Sequence, residues 1–536
     1  MRREAEPGPG GSPRRWAAAG LAGSSAATVA AAVVHTAFPS VPFPPLSIAQ
    51  AIVRAAPGGF ATTFIDLLGH WALRLAVAGT MAAFLASGAV LGVVMGMVVG
   101  RVPGGRYGAA VLVFLPLWAV IVLLSPSDPQ FVGRGMLAVA MAPVWLAAAL
   151  VAARTSVSLR ADPAERPGVA VPPPVPGISR RVVLRSLWWG ALGALLGVAD
   201  LGKLLRPRPN PGRLPIHLAD VTPAVLPSSS PADRSFDRIA GLTPEVTSNE
   251  GFYVVDEEII DPDIDPATWT LTIGGLVRRP VRLSYRELLS FPAVERYQTL
   301  ECISNRVGGD LISTAKWVGV PLPLVLERAG VRSGAVEVVF RAAGGYSDSI
   351  SVAQAMDEST LIAVGMNGRV LPREHGFPSR VLSVGTYGMK NPKWLTGIEV
   401  MDSPYRGYWE QRGWSKRAIV KTGSRIDVPR DGSSVSGPTT VAGVAFAGDR
   451  GISRVEVSTD GGGTWRAGEL KRPLSPLTWR LWRFDWTPPD GSGRNGILVR
   501  AYDGRGVAQI PIPADPHPDG ASGYDGLTIV RATGSG

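Results

Sequence analysis

The chain has 536 residues, more than one hydrophobic core usually organises, so we expect several domains. Apolar residues make up 46% and charged residues only 18%, which excludes a disordered chain and predicts that part of the protein lies in lipid. The net charge is +11, but no basic run is interleaved with aromatics, so we expect membrane lipid and no nucleic acid as partner. The single cysteine excludes internal disulfides and cysteine-ligated clusters.

Long uncharged stretches dominate the first two hundred residues. A helix needs about 20 apolar residues to cross the hydrocarbon core, and four stretches approach that length: 16–38, 75–100, 107–125 and 135–153. A fifth stretch at 182–199 is shorter in its strictly uncharged part. The pattern predicts a transmembrane helical domain over residues 1–203, with four to five spans.

Arginines predict the orientation of these spans. Short loops rich in Lys and Arg stay in the cytoplasm, and the arginines concentrate before the first span, between the second and third, and between the fourth and fifth. We therefore expect a cytoplasmic N-terminus in a cell membrane of the bacterial type. The residues after Ala199 are then extracytoplasmic.

The fifth segment has a second interpretation. Ser179, Arg180 and Arg181 precede a modestly apolar stretch, and residues 179–199 together resemble a twin-arginine export signal. An ordinary cytoplasmic flank of a fifth span explains the same residues equally well. The export interpretation implies that the following domain is folded and loaded with a cofactor before it crosses the membrane.

A proline-rich linker is predicted at 204–231, because this composition is extended and buries little. The next part, 232–413, has the patterns of a mixed α+β domain. A strand runs into a turn at 269–275, Ser284 and Glu287 form a capping box that starts a helix, and residues 318–330 are predicted as a helix closed by Gly330.

The last part of the chain, 414–536, has a period of two almost everywhere. Val455 and Val457 alternate with charged residues before a turn, and Trp482 and Trp486 belong to a second alternating run. Several short strands at such spacing are typical of an all-β sandwich.

Cys302 is the first candidate for chemistry. A lone cysteine is commonly a small buried apolar residue, but this one lies near Asn305 and Arg306, where a thiolate would be stabilised. Such a setting suits a metal ligand or a nucleophile.

His375 lies in a segment with Arg380, Lys390 and Lys393, which indicates either a phosphate-binding loop or a solvated basic loop.

Several motifs follow one another in the order typical of a known enzyme family. They are the Cys302-Ile-Ser-Asn-Arg motif, the segment 365–380 that contains His375-Gly-Phe-Pro-Ser-Arg380, the segment 390–395, and the stretch from Ser458 to Trp465. Together they resemble the sulfite oxidase-like molybdopterin oxidoreductases over about residues 242–530. The resemblance implies a sulfite oxidase-like molybdopterin domain followed by an immunoglobulin-like dimerisation domain, and hence a possible homodimer.

The resemblance also assigns roles to residues. Cys302 would be the thiolate ligand of molybdenum, which suits a soft metal centre. The residues implied to bind the molybdopterin are Asn249, Phe252, Tyr253, Asn305, His375, Arg380, Asn391, Pro392 and Lys393. The catalytic positions would be Cys302, Arg306, Trp414 and Arg480.

The sequence departs from the family where a small dianion would bind. Val255, Val307 and Trp414 stand where sulfite oxidases have two arginines and a tyrosine, and two lost charges weaken the binding of a dianion. We therefore expect oxygen-atom transfer with a less charged substrate, such as a sulfoxide, rather than true sulfite oxidation.

Electrons must pass to another molecule, because the exported part shows no cluster or haem motif. An external cytochrome or quinone system is the expected partner, and His35 and His70 are interpreted as interfacial residues rather than haem ligands. Three alternatives remain: a sulfite oxidase-type enzyme, a non-catalytic membrane protein that keeps the fold, and a cysteine hydrolase that uses Cys302 and His375.

Overall fold

The computed structural model describes isolated positions up to residue 52 and then residues 71–98, 221–227, 230–258, 261–489 and 493–531. The chain divides into two compact units, residues 1–56 with 64–208, and residues 57–63 with 209–536.

In the first unit, helix α1 (Trp71–Val98) coincides with most of the predicted stretch 75–100. The predictions for 107–125, 135–153 and 179–199, and nearly all of 16–38, lie outside the described residues, as does most of the linker up to residue 220. Within the fully described residues, no helix combines the length and hydropathy that a membrane span requires.

The second unit is mainly β structure with short helices. Its helices are α2 (Pro231–Ser235), α3 (Tyr285–Leu288), α4 (Leu322–Ala329) and α5 (Val352–Ala355). Its strands up to residue 401 are β1 (Val221–Thr222), β2 (Thr270–Gly275), β3 (Val281–Ser284), β4 (Ala293–Glu301), β5 (Ile312–Pro321), β6 (Glu337–Ala342), β7 (Ser347–Ser351), β8 (Leu361–Met366), β9 (Arg369–Val370), β10 (Arg380–Leu382) and β11 (Leu395–Met401).

These strands form two sheets around one core. The first sheet has the order β1-β4-β5-β8-β10, with β9 on β8, and the second has the order β3-β2-β11-β6-β7. Side chains of both sheets, such as Val320 and Phe340, meet in a core cluster that also contains Leu322 and Leu326 of α4. Apolar residues on every position of β8 are buried, as expected for a strand covered on both faces.

Local signals fix several boundaries. The predicted capping box is present, since Ser284 and Glu287 bond reciprocally at the start of α3. Gly330 ends α4 in the left-handed conformation, as predicted. The prediction of a helix from 318 is wrong, because residues 318–321 are the end of β5 and pair with β8. Pro321 disfavours helical geometry at the residue before it, so the helix begins only at Leu322.

The C-terminal region is rich in β structure. Its strands are β12 (Gly423–Val428), β13 (Ser434–Val435), β14 (Thr439–Phe446), β15 (Ile452–Ser458), β16 (Arg466–Ala467), β17 (Glu469–Leu470), β18 (Arg480–Trp486), β19 (Gly493–Asp503) and β20 (Asp525–Arg531). They form two sheets, β12-β14-β18-β17 and β13-β20-β19-β15-β16. Trp482 and Val441 of one sheet share a core with Val455 and Val499 of the other. The two sheets therefore pack face to face, and the immunoglobulin-like relationship stays a prediction.

Candidate active site

Cys302 lies directly after β4, at the start of the loop that leads to β5. The backbone N–H of Cys302 donates to the carbonyl oxygen of Leu311 at 2.9 Å, and its carbonyl accepts from the N–H of Asn305 at 3.0 Å. The half-buried thiol has its Sγ 3.0 Å from Oγ of Ser304. The end of a paired strand and a closed loop therefore fix the position of the thiol.

Asn305 holds this loop together from inside. Its Nδ2 donates to Oε1 of Glu301 at 2.9 Å, and its Oδ1 accepts from the N–H of Leu311 at 3.0 Å. Gly309 allows this arrangement, because a Cβ at that position would come within 2.4 Å of Oδ1 of Asn305. Burial raises the pKa of Glu301 to about 7. Asn305, predicted to bind the cofactor, thus shapes the cysteine loop through bonds to its own chain.

Aromatic rings form a wall near the thiol. The ring of Phe252 stacks on Tyr253 at 5.4 Å between centroids and meets Trp317 and His375 edge-on at 5.6 and 5.3 Å. A Cβ on Gly388 would lie 2.7 Å from the hydroxyl of Tyr253 and 3.9 Å from Cα of Cys302. Burial, and then the nearby Cys302, raise the pKa of Tyr253 well above its usual value. The sequence-predicted residues Phe252, Tyr253 and Cys302 therefore belong to one neighbourhood.

His375 is a neutral, structural donor in this structure. Its Nε2 lies 2.7 Å from the carbonyl oxygen of Asn249, which can only accept, so Nε2 carries the hydrogen. Burial lowers the pKa of His375 to about 3. Asn249 is also held by Asn367, whose Nδ2 donates to Oδ1 of Asn249 at 2.8 Å. His375 therefore fixes the segment that carries Phe252 and Tyr253.

Arg380 is the buried cation of the site. Its guanidinium donates to the carbonyl oxygens of His375 at 3.2 Å and Asn391 at 3.1 Å, and it lies 5.4 Å from the ring centre of Trp317. Burial lowers the pKa of Arg380 to about 10, so it remains charged at neutral pH.

Four buried polar atoms in this part of the described chain have no hydrogen-bond partner: Nε of Arg380 and the hydroxyls of Ser379, Ser383 and Thr386. Buried polar groups are nearly always paired, so a cluster of donors without partners in one segment indicates a ligand that accepts hydrogen bonds. A phosphorylated cofactor that also binds the lone thiolate of Cys302 fits these residues.

The remaining residues of this segment bond to their own chain. Nζ of Lys393 pairs with Asp256 and donates to the carbonyl of Glu374 at 2.7 Å. Asn391 accepts from the N–H of Ser383 at 2.7 Å, and the carbonyl of Pro392 accepts from Val381 at 3.0 Å. Lys393, Asn391 and Pro392 thus shape the site, and direct contact with a cofactor stays a prediction for each.

Arg306 lies in a different place from Arg380. It lines a cleft with Val307 and Glu301 on one side and with Lys421 and Arg425 of the C-terminal region on the other. The cleft borders the cysteine loop, which is consistent with the predicted catalytic position of Arg306.

Trp414 and Arg480 do not line this cleft. Trp414 is 6% exposed, packs against His517 at 5.1 Å between ring centroids, and belongs to a core cluster with Ile303 and Met389. The guanidinium of Arg480 donates to the carbonyl oxygens of Lys471 and Ile452 within the sandwich. Bonds to the sandwich backbone occupy Arg480, so the described contacts do not support its predicted catalytic role.

Sequence reasoning missed a buried ion cluster beside the site. Lys390, which we grouped with the cations of a phosphate-binding loop, instead places its Nζ between Asp348 and Glu410, 2.6 Å from a carboxylate oxygen of each. No sequence spacing connects residues 348, 390 and 410. Among the residues that the structure describes, no three His, Cys, Asp or Glu side chains form a metal-binding group.

Comparison with known proteins agrees with the geometry. Residues 258–409 match the family model of the oxidoreductase molybdopterin binding domain, and residues 415–514 match the Mo-co oxidoreductase dimerisation domain. The chain therefore carries sulfite oxidase-like molybdopterin oxidoreductase domains, and the binding domain implies the molybdenum cofactor.

The relatives are oxidoreductases. Mitochondrial sulfite oxidase of Homo sapiens is 35% identical over 290 residues, which cover 45% of this chain and 53% of that protein. Nitrate reductase [NADH] 1 of Arabidopsis thaliana is 29% identical over 306 residues, 45% of this chain and 33% of that protein. The crystal structure of the sulfane dehydrogenase SoxCD from Paracoccus pantotrophus aligns with a TM-score of 0.47 at 23% identity, covering 54% of this chain and 82% of that one. The chain thus spans about half the length of the sulfite oxidases it matches, and the matches support an enzyme.

Proposed function

We propose that residues 221–531 form a molybdenum-dependent oxidoreductase that transfers an oxygen atom between water and a small substrate. The observation that carries this proposal is the half-buried thiol of Cys302, fixed at the end of β4 beside Tyr253 and Gly388. The chain contains one cysteine and can therefore supply one thiolate ligand. A metal that already has the sulfur ligands of a pterin needs no second cysteine.

Each residue of the site has a defined task in this proposal. When bound, the cofactor supplies a metal centre that changes by two electrons as the oxygen atom moves. Cys302 supplies the soft ligand, and the charge of Arg380 favours the phosphate of the cofactor. Phe252 and Tyr253 exclude water from one side of the thiol. His375 stays neutral and holds the backbone of Asn249, so it orients this wall without exchanging protons.

The first candidate substrate is a neutral, partly apolar molecule. Val255, Val307 and Trp414 stand where the resemblance implies two arginines and a tyrosine, and this loss of charge favours a sulfoxide or an N-oxide. Trp414 is buried in a core cluster, whereas Val307 is 37% exposed in the cleft. The apolar argument therefore rests on Val255 and Val307 alone.

A second candidate substrate is an oxyanion such as sulfite. Arg306, Lys421 and Arg425 line the cleft beside the cysteine loop, although Arg425 pairs with Asp427 at 2.7 Å. Human sulfite oxidase, one of the relatives, is named for this substrate. Cations from two regions around one cleft would favour an anion over a neutral molecule.

One screen separates these candidates. The molybdenum-loaded full-length chain is assayed with sulfite, sulfoxides and N-oxides, using artificial electron donors and acceptors. Turnover of sulfoxides or N-oxides far above that of sulfite supports the first candidate, and sulfite oxidation with a micromolar KM supports the second. A loaded chain that turns over none of these compounds contradicts oxygen-atom transfer as proposed.

Electron transfer and assembly complete the proposal. We infer that a separate cytochrome or quinone system exchanges electrons with the site, because the sequence contains no Cys-x-x-Cys-His motif. The match of residues 415–514 to a dimerisation domain supports a homodimer, which light scattering of the purified chain would reveal. The uncharged stretches before residue 200 support attachment to a bacterial-type cell membrane, with the catalytic region outside the cytoplasm.

A further inference from the structure

A buried ion cluster joins three separate segments between residues 347 and 412. Lys390 comes from the 3-10 turn Gly388–Lys390, Asp348 from β7, and Glu410 from the 3-10 turn Glu410–Arg412. Nζ of Lys390 lies 2.6 Å from Oδ1 of Asp348 and 2.6 Å from Oε1 of Glu410, and the three side chains are at most 3% exposed. Two carboxylates on one ammonium in a dry interior are costly, so their presence calls for an explanation.

Tyr346, directly before β7, holds the same turn at a second point. The hydroxyl of Tyr346, two residues before Asp348, donates to the carbonyl oxygen of Met389 at 2.7 Å and lies 3.2 Å from Oδ2 of Asp348. Tyr346 is 6% exposed. The backbone of Met389 and the amine of Lys390 are therefore both tied to the region around β7.

The opposite end of the turn faces the candidate active site. Gly388 approaches so closely that a Cβ there would lie 2.7 Å from the hydroxyl of Tyr253 and 3.3 Å from the carbonyl oxygen of Glu301. Cα of Cys302 is the next nearest atom, at 3.9 Å from that position. The turn therefore contacts the ion cluster through Lys390 and approaches Cys302 through Gly388, and it leads directly into Asn391.

We propose that Asp348, Glu410 and Tyr346 are positioning residues: the two carboxylates clamp Lys390, Tyr346 holds the carbonyl of Met389, and together they hold the turn 388–390 against Cys302. The proposal rests on the proposed function only for the metal-binding role of Cys302. The contacts of Lys390 with Asp348 and Glu410 involve only this chain, so the clamp can be tested with and without the metal.

The test uses the reactivity of the thiol. Because Cys302 is the single cysteine, labelling of the cofactor-free full-length chain with a thiol reagent reports on this site alone. The variants are Asp348→Asn, Glu410→Gln and Tyr346→Phe. Each carboxylate variant leaves Lys390 one acid partner and a neutral pair, so we expect the domain to fold.

The matched control is Glu295→Gln. Glu295 of β4 also pairs with a lysine of the same domain, Lys316 of β5, at 2.8 Å. Both side chains are partly exposed, Glu295 at 23% and Lys316 at 28%. Glu295→Gln removes one negative charge, as Asp348→Asn and Glu410→Gln do, but it alters no contact of the turn 388–390.

We expect each of the three cluster variants to label on the order of tenfold faster than the wild type, because a charge-assisted or buried hydrogen bond that holds the turn is lost. Glu295→Gln should label at the wild-type rate. Tyr346→Phe is decisive, because it alters a contact with the turn but no charge, whereas the carboxylate variants also change the field at the thiol. Unchanged labelling in Tyr346→Phe would overturn the positioning role, whatever the carboxylate variants do.

A spectroscopic measurement on the loaded chain separates this proposal from the proposed function. With molybdenum bound, the cluster variants should keep the metal but shift the sulfur-based charge-transfer absorption, while Glu295→Gln should not. A chain that binds no molybdenum contradicts the proposed function, and the labelling rates still decide the clamp. Molybdenum-loaded variants with an unshifted band would contradict the clamp instead.

Discussion

His375 is 1% exposed, and its ring nitrogen donates to the carbonyl oxygen of Asn249. Burial lowers the pKa of His375 from 6.5 to about 3. At pH values between these two, the imidazole is neutral in the folded state and protonated in the unfolded chain. Between these values the unfolded state binds more protons, and the stability contributed by a neutral His375 is lost as the pH falls from about 6.5 towards 3.

Replacing His375 with Gln tests this linkage. The amide keeps a donor for Asn249 but does not titrate, so the free energy of unfolding of the variant should fall less steeply on acidification. The difference from the wild type should be at most about 1.4 kcal/mol for each pH unit. Denaturant titrations of the purified chain from pH 7 to pH 4 measure it. Parallel curves for both proteins would show that His375 does not carry this charge effect.

The sequence alone could predict Cys302, His375 and Arg380 as site residues, because each lies in a short motif with other residues predicted for the same site. Asp348, Lys390 and Glu410 come from three distant segments, which only the folded structure brings together. For Trp414 and Arg480 the predicted catalytic roles stay predictions. Their roles were implied by a family position, but the packing against His517 and the bonds to the sandwich backbone follow from the fold.

At the scale of elements, the turn 388–390 is the most constrained part of the site. The backbone of Gly388 is not left-handed, so its conformation alone does not require glycine. Glycine is required because the backbone passes close to Tyr253 and Cys302. Gly388→Ala should destabilise the protein by about 1–3 kcal/mol, because the added methyl group overpacks this contact.

A second substitution and a control make this prediction specific. Tyr253→Phe removes the hydroxyl that the new Cβ would meet at 2.7 Å, so the double variant should regain part of the loss. Gly423→Ala has open space around its Cβ and should change the free energy of unfolding little. Equal loss in the single and double variants would contradict a steric cause at Tyr253.

Element boundaries were predictable where a side chain marks them. The capping box of Ser284 and the left-handed Gly330 fixed two helix ends. The stretch 318–321 was assigned wrongly to a helix, since its apolar residues fit a helix or a buried strand equally well. Pairing with β4 and β8 decides between them, and this information is not local.

At the scale of the whole molecule, the proposed route across the membrane depends on Arg180 and Arg181. Replacing both with Lys keeps the positive charge but removes the guanidinium pair of the export signal. We expect the catalytic region to remain on the cytoplasmic side, as read by a compartment-specific reporter at the C-terminus. A reporter that still appears outside would leave the segment as an ordinary fifth span.

The proposed function depends above all on Cys302 as a ligand of molybdenum beside a pterin. X-ray absorption at the molybdenum edge counts the sulfur neighbours of the metal in the purified wild type and in Cys302→Ser. We expect molybdenum in both proteins, with one sulfur neighbour fewer in the variant, and loss of oxygen-atom transfer in the variant. A wild-type chain without molybdenum, or an equal sulfur count in the two proteins, would contradict it.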